Sequence, residues 1–170
     1  MKSSAVLFAL AIGAFAIGTT EFAPMGLLPV IAQGVSVSIP TEEIQIKTYA
    51  MDIMLSEPVM TLLFSRFGRG AALVSLMLIF TLGNLLSALA PGYTSLLLSR
   101  LVTSLNHGAF CGIGAVVAAS VVPKDKQASA IAAMFMGLTV VNIFVVLAAI
   151  WIGQQVGWRL AFAGTAGVFF

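Results

Sequence analysis

The sequence predicts an all-α fold: a polytopic membrane helical bundle with five full transmembrane helices and a partial sixth. Of its 170 residues, 60% are hydrophobic and 8% are charged, whereas about 25% of the residues of a soluble domain are charged. The mean hydropathy is +1.10. The run from Ser4 to Ala32 contains a single ionisable residue, Glu21. As a helix this run would be roughly 43 Å long, which exceeds the ~30 Å hydrocarbon core of a bilayer.

The first segment is interpreted as a retained transmembrane helix. A helix of this length in a soluble core would carry a polar stripe, and this run has none. A secretory signal peptide is the alternative, because Lys2 precedes the apolar residues. The apolar core of a signal peptide is about 7–15 residues long. Here the apolar character continues through Phe22, Met25 and Leu28, and further apolar segments follow.

The later helices are separated by short polar or proline-containing loops. The segment Gln33–Thr41 is predicted to be a loop, and the second helix opens at Thr41 with acidic residues in its first turn. This second span is the least hydrophobic of all. Residues 1–170 are predicted to form a single bundle with helices at about 4–32, 44–64, 71–90, 96–122 and 127–152, and a partial helix at 160–170.

The loop charges predict the orientation in the membrane. Alternate loops lie on opposite sides of the membrane. One side has Arg159, and the other side has five basic residues, Lys2, Arg66, Arg69, Lys124 and Lys126. Because cytoplasmic loops are enriched in Lys and Arg, the amino terminus is predicted to be cytoplasmic. The basic residues are too dispersed for a nucleic-acid surface. Cys111 is the only cysteine, so no intrachain disulfide can form.

The fourth predicted helix has a polar stripe along one face. Arg100, Ser104, His107 and Cys111 follow one another at spacings of four, three and four residues, with Asn106 beside them. This face must contact protein or a water-filled cavity, because an unpaired charge in lipid is costly.

Glu21 is expected to pair with Arg100, since both residues lie at a similar depth near the outer boundary. For His107, either a hydrogen-bonded interior role or proton transfer is possible. Asn142 is expected either to bind a substrate group or to form a bond between helices.

The second helix adds two acidic residues at membrane depth, Asp52 and Glu57. Together with Glu21 they outnumber Arg100, so at least one of these carboxyl groups is expected to be neutral and protonatable. This surplus of acids is the physical reason to predict a proton pathway. The sequence predicts no catalytic or metal-binding site, because it contains neither a GxSxG nor an HExxH motif.

Five segments resemble the amino-terminal half of the major facilitator superfamily, and they are most similar to the bacterial drug and sugar efflux antiporters of the arabinose-efflux-like group. The segments are GTTEFAPMGLLPVIA at 18–32, TLGNLLSALAP at 81–91, LLLSRLVTSLNHGAF at 96–110, VVAASVVPKDKQASA at 116–130 and MFMGLT at 134–139. The resemblance implies two six-helix bundles around a central cavity in the bacterial inner membrane. It also implies alternating access driven by a proton gradient, without a cofactor.

Residue by residue, Arg100 matches the arginine of the fourth-helix motif of that family, and Glu21 matches the acidic position of the first-helix motif. Arg66, Gly68 and Arg69 match part of the signature of the loop between helices two and three. That signature is incomplete, because Thr61, Ser65 and Gly70 replace its glycine, its aspartate and its last basic residue.

Two helices also depart from the family pattern. Asp52, Ser56 and Glu57 replace small residues in helix two. In helix five, Val145-Val146-Leu147 replaces a Gly-Val-Pro-like bend, so we expect this helix to be straighter.

Two functions remain open from the sequence. The first is proton-coupled efflux of small organic solutes, either drugs or sugars. Its expected partners are the lipid bilayer, the small-molecule substrate, and a missing carboxy-terminal bundle or a homodimer mate. The second is a non-transporting role, as a truncated or engineered membrane fragment or a helical assembly partner. An intramembrane enzyme is not predicted, and neither is a nucleic-acid partner.

Overall fold

The computed structural model describes residues 3–64, 66–148, 151, 155 and 157–167; the side chains at positions 142, 145, 161 and 165–167 are outside this description. The described residues are almost entirely helical and include no β-strand, which confirms the all-α prediction. The helices are α1 (Ser3–Gly34), α2 (Ile39–Phe64), α3 (Arg69–Ala88), α4 (Tyr93–Ser104), α5 (His107–Ser120), α6 (Gln127–Val140) and α7 (Trp158–Gly167). Ser65 and positions 149, 150, 152 and 168–170 of the predicted spans lie outside the described residues.

Three helical segments of the described part are long and apolar enough to cross a membrane. They are Ser3–Gly34, Arg69–Ala88 and the combined segment Tyr93–Ser120. Helix α2 is not among them, because its charged residues lower its hydropathy. Many large apolar side chains are exposed, including Met54 and Leu89 at 76% and 78%. A surface of this kind matches the surrounding lipid.

Helix α2 begins earlier than the sequence predicted. The predicted loop Gln33–Thr41 is replaced by a shorter connection, because α1 continues to Gly34 and α2 starts at Ile39. Ser38 caps the new start, since its hydroxyl oxygen accepts a hydrogen bond from the backbone N–H of Thr41 at 3.3 Å. Pro40 fits in the first turn, where its missing N–H has no partner to lose.

The predicted fourth helix is interrupted at Leu105 and Asn106, which separate α4 from α5. Three hydroxyl groups before the interruption donate hydrogen bonds to the carbonyl three residues earlier, each at 2.8 Å. The donors are Ser99, Thr103 and Ser104. Side-chain bonds of this kind compete with the backbone ladder and bend helices. The helix is therefore interrupted at this point, although Tyr93–Ser120 as a whole is long and apolar enough to form the single span that the sequence predicts.

The continuation of α6 was expected to be straighter than in the family, and it is not a regular α-helix. The segment Val141–Val145 winds as a π-helix, with the N–H of Val146 bonded to the carbonyl of Val141. A π turn admits an extra residue per turn and is a known cause of kinks. The segment that replaces the glycine and proline of the family bend therefore forms a π-helix and not a regular α-helix.

Helices α1 and α6 approach each other at backbone distance. A Cβ atom added to Gly137 would clash with the carbonyl oxygen of Ala11. Ala14 and Ile17 of α1 belong to the main apolar cluster of the bundle, together with Phe80 of α3. Close packing through a small residue is typical of membrane helices, whose association does not rely on the exclusion of water.

Helix α7 packs against α3 and α1 in a second apolar cluster, which includes Leu27, Ile31, Trp158 and Phe162. The chain turns into α7 at Gly157, whose φ of +89° is in the region that favours glycine. This cluster covers the end of the bundle at which Arg100 lies, because Phe162 is one of the rings facing that guanidinium.

Candidate functional site

One face of α2 has five polar residues spaced three or four positions apart. We call this face the polar seam: Glu42, Gln45, Tyr49, Asp52 and Ser56. All of them are buried except Asp52, which is half-buried. The sequence interpretation singled out Asp52 and missed Glu42, Gln45 and Tyr49. Their spacing was the available signal, because residues three and four apart share one face of a helix.

Helix α2 packs against α4 and α5 in a constant register along the polar seam and the residues that flank it. The contacting pairs are Thr41–Tyr93, Tyr49–Arg100, Asp52–Ser104 and Glu57–Gly108. The two members of each pair are separated by 51 or 52 positions along the chain. Because this separation stays constant over four turns, α2 runs parallel to α4 and α5. The predicted polar face of the fourth helix thus contacts protein, as expected.

Arg100 is enclosed by a carbonyl oxygen and two aromatic rings. Its Nη1 donates a hydrogen bond to the carbonyl oxygen of Thr20 at 2.6 Å. Its guanidinium carbon lies 4.3 Å from the ring centre of Tyr49 and 5.6 Å from that of Phe162. With 2% of its surface exposed, it is the largest fully buried side chain in the described part. Aromatic faces attract a guanidinium electrostatically, most strongly when water is excluded.

Glu21 pairs with His107 and not with Arg100, so the predicted pairing was wrong. The Oε2 atom of Glu21 lies 3.6 Å from Nε2 of His107, whereas within the described residues Arg100 forms no ion pair. Thr20 and Glu21 point about 100° apart around α1. The Thr20 carbonyl has no N–H partner four residues later in α1, because that residue is Pro24, and it accepts one hydrogen bond from Arg100. The Nε of Arg100 has no hydrogen-bond partner among the described residues. The carboxylate of Glu21 reaches His107, seven residues after Arg100 on the stripe.

The Glu21–His107 pair is partly shielded, with side-chain exposures of 24% and 13%. The imidazole ring also stands edge-on to the ring of Tyr49, with 6.4 Å between ring centres. Tyr49 therefore contacts both Arg100 and His107. A carboxylate, an imidazole and a guanidinium are brought together around one tyrosine ring.

The two acidic residues of helix two lie in different surroundings. The hydroxyl of Ser104 shares its single hydrogen between the carboxylate of Asp52 and the carbonyl of Leu101. Glu57 is exposed, and its side chain lies over Gly108, where an added Cβ would clash with it. Both residues remain at the contact between α2 and the α4–α5 segment.

Asn106, one of the two asparagines of the predicted pathway, does not join this group. The amide of Asn106 is fully buried and donates a hydrogen bond to the carbonyl of Leu76 on α3 at 2.8 Å. It therefore lies on the side of the fourth helix that faces α3, away from α2. The side chain of Asn142 lies outside the described residues.

The loop motif lies apart from the site. Arg66, Gly68 and Arg69 are exposed, and neither arginine forms an ion pair with any residue that the structure describes. Gly68 has a local role at the start of α3, where its carbonyl accepts the N–H of Ala72 at 2.9 Å.

A second buried polar network joins α1, α3 and α4 and was not predicted. The hydroxyl of Thr20 donates to the amide oxygen of Asn84 at 3.0 Å, and the Asn84 amide donates to the carbonyl of Phe80. Further along α3, the hydroxyls of Ser87 and Ser99 are 2.8 Å apart. This network fixes Thr20, whose carbonyl holds Arg100.

The geometry suits charge and proton handling more than covalent chemistry. Among the described residues, no group of three or more His, Cys, Asp or Glu side chains could hold a metal ion. Cys111 is half-buried and free.

Comparisons with known proteins identify the family. The chain is 64% identical over 168 residues to the inner membrane transport protein YdhP of Escherichia coli K12, covering 99% of this chain and 43% of that protein. It is 44% identical over 156 residues to the uncharacterized MFS-type transporter YtbD of Bacillus subtilis 168, covering 92% and 39%. With a probable sugar efflux transporter of Pasteurella multocida Pm70 it shares 35% identity over 158 residues, covering 93% and 39%.

The chain therefore spans less than half the length of these curated relatives. The profile of the Major Facilitator Superfamily matches residues 10–170. Proteins of this family are membrane transporters and not enzymes, and they need no cofactor. The match over nearly the whole sequence, together with the all-helical bundle, shows that the chain belongs to the major facilitator superfamily.

Proposed function

We propose that this chain is the amino-terminal bundle of a proton-coupled antiporter that exports small organic solutes, either drugs or sugars, across a bacterial inner membrane. The observation that carries the proposal is the Glu21–His107 pair, held beside buried Arg100. Ionisable groups at membrane depth usually mark a substrate or proton path. The relative in Pasteurella multocida is named a probable sugar efflux transporter, and this name supports the proposed class of solute.

In this proposal the Glu21–His107 pair is the proton carrier. At 3.6 Å the carboxylate and the imidazole form an ion pair when His107 is protonated, and a closer approach of the two side chains would let one proton pass between them. Loss of that proton leaves a carboxylate close to the fixed positive charge of Arg100, so the attraction between α1 and α4 increases. Proton binding and release at Glu21 would thus change how tightly these two helices are held together.

The full transporter would have more spans than the three that meet the criteria of length and hydropathy. We propose that α2 and the segment that begins with α6 also cross the membrane, with α7 as the start of a sixth span and with the amino terminus in the cytoplasm. Alternating access needs two bundles that rock against each other. The second bundle would be a carboxy-terminal half or a second copy, since the chain spans 43% of the Escherichia coli relative.

A second candidate is a non-transporting membrane protein, either a fragment or a helical assembly partner. The incomplete loop motif around Arg66 and Arg69 supports it, because these side chains form no ion pair within the described residues.

Reconstitution into proteoliposomes separates the two candidates. The probes are a radiolabelled pentose and a fluorescent drug-like dye, each measured with and without a pH gradient. The transporter proposal expects flux that follows the gradient. Absence of flux from protein that is folded by circular dichroism and size exclusion favours the non-transporting candidate.

The role of Glu21 is tested in the same assay with Glu21→Gln, which removes the ionisable group and keeps the shape. Flux driven by the pH gradient should be lost. The matched variant Glu43→Gln should behave like the unmodified chain, because Glu43 is exposed. If Glu21→Gln transports normally under a pH gradient, the proton-carrying role of Glu21 is lost.

A further inference from the structure

The start of the polar seam contains two buried side chains without hydrogen-bond partners. Glu42 and Gln45 are each 0% exposed. Both carboxylate oxygens of Glu42, and the amide oxygen and nitrogen of Gln45, have no partner among the described residues. The proposed function uses neither residue. Buried polar groups in proteins are nearly always hydrogen-bonded, so such a cluster requires an explanation.

We propose that Glu42 is a proton-binding site that holds a proton while the start of α2 is closed on α4, and releases the proton when this contact opens to water. The proposal concerns the chemistry of one carboxyl group and does not depend on transport. It goes beyond the Glu21–His107 pair, because Glu42 is on a different helix and has different neighbours.

The closure beside Glu42 is a specific contact. The hydroxyl of Tyr93 donates a hydrogen bond to the carbonyl oxygen of Thr41 at 2.9 Å, at the residue immediately before Glu42. This bond holds the first turn of α2 against the first turn of α4. Opening it would expose the carboxyl group at the end of the bundle.

An ionised carboxylate in this enclosed position is unfavourable. Removing a charge from water without hydrogen bonds costs several kcal/mol, and such groups usually become neutral instead. A protonated carboxyl group can donate its hydrogen to a neighbouring acceptor. The amide oxygen of Gln45 is a suitable acceptor, because it is unpartnered and three residues later on the same helical face.

The charges around Glu42 oppose protonation of its carboxyl group only in part. The titratable groups on the helices packed against α2 are Glu21 on α1, Tyr93 and Arg100 on α4, and His107 and Cys111 on α5. Of these groups, Arg100 favours the ionised form of Glu42 through its positive charge. On α2 itself, Glu43 and Lys47 are exposed and pair with each other at 3.6 Å. Tyr49 and Asp52 lie two and three turns further along the same face.

Glu42 lies before the predicted second span, which begins at Ile44. Burial raises the pKa of its carboxyl group from 4.5 to about 7, and the charge of Arg100 limits this rise. Since the folded protein then binds the proton more tightly than the unfolded chain, this group stabilises the fold fully below about pH 4.5. Its contribution is lost as the pH rises towards about 7.

The test uses the purified chain in detergent, with thermal unfolding measured from about pH 4.5 to about pH 8. Glu42→Gln removes the titrating group, and Glu43→Gln is the matched control, one residue away and exposed. The unmodified chain and Glu43→Gln should lose thermal stability as the pH rises through this range. Glu42→Gln should lack that part of the decline. Equal pH dependence in both variants overturns the proposal.

A second measurement keeps the test decisive if Glu42→Gln does not fold. Infrared difference spectra between the two ends of the pH range report the carbonyl stretch of a protonated carboxyl group. Tyr93→Phe removes the closing bond to Thr41, so water should reach Glu42 and the transition should move to lower pH. A transition at the same pH as in the unmodified chain overturns the proposal. Neither measurement requires solute flux, so failure here is distinguishable from failure of the transport proposal.

Discussion

Tyr49 of α2 lies against Arg100 of α4, with 4.3 Å between the guanidinium carbon and the ring centre. Both side chains are buried, at 3% and 2% exposure. The aromatic face takes the position that the sequence assigned to a carboxylate. A buried arginine is therefore held by a ring and a backbone carbonyl, which leaves the nearby acidic residues free to bind other partners.

Replacing Tyr49 separates the contribution of its ring from that of its hydroxyl. Tyr49→Leu removes the cation–π contact and should reduce the free energy of unfolding by about 1–2 kcal/mol. Tyr49→Phe should change it much less, because the hydroxyl has no hydrogen-bond partner in the described part of the chain. Thermal unfolding in detergent measures both. Equal losses in the two variants would contradict the contact with Arg100.

Gly137 is predicted to be essential for the packing of α6 against α1. Gly137→Ala places a methyl group against backbone atoms of Ala11 and Phe15, which cannot move as a side chain can. We expect a loss of about 1–3 kcal/mol in the free energy of unfolding, as for other overpacked sites. The control is Gly112→Ala, because no atom lies within 4 Å of its added Cβ. A fully stable Gly137→Ala protein would show that the two helices are further apart.

Asn106 is predicted to have a structural role. Asn106→Leu removes the buried hydrogen bond to the carbonyl of Leu76, so the unfolding free energy should fall by about 1–3 kcal/mol. Any flux should still depend on the pH gradient in variant protein that remains folded, because the Asn106 amide of the unmodified chain faces α3. The exposed variant Thr139→Ala is the control. Loss of pH-driven flux at unchanged stability would instead place Asn106 in the proton pathway.

The helical bundle could be predicted from the sequence because lipid-length apolar runs leave few alternatives. The spacing of Arg100, Ser104 and His107 correctly predicted that this face of the fourth helix contacts protein. The interruption at Leu105 and Asn106 was not predictable from hydropathy. It follows from hydroxyl groups that bond to their own helix, and the same residues occur in unbroken helices too.

The pairing within the site could not be derived from depth alone. Glu21 and Arg100 were matched by their positions along two helices, but the partner of a side chain also depends on rotation about each helix axis. One residue of α1 corresponds to about 100° of rotation. That rotation directs the Glu21 side chain to His107. Arg100 instead bonds to the Thr20 carbonyl, which is free within α1 because Pro24 has no N–H to donate to it. The polar seam was accessible from spacing, but its unpartnered groups became visible only in three dimensions.

The constant separation of 51 or 52 positions between α2 and its partners restricts how this part of the protein can move. If α2 slid along its axis by a single turn, three contacts would break at once. They are the hydrogen bond from Tyr93 to Thr41, the packing of Arg100 on Tyr49, and the hydrogen bond from Ser104 to Asp52. Tilting of α2 together with α4 and α5 leaves all three intact. Apart from a local opening of the Tyr93–Thr41 bond at the start of α2, a change of shape along this contact should therefore move the three helices together.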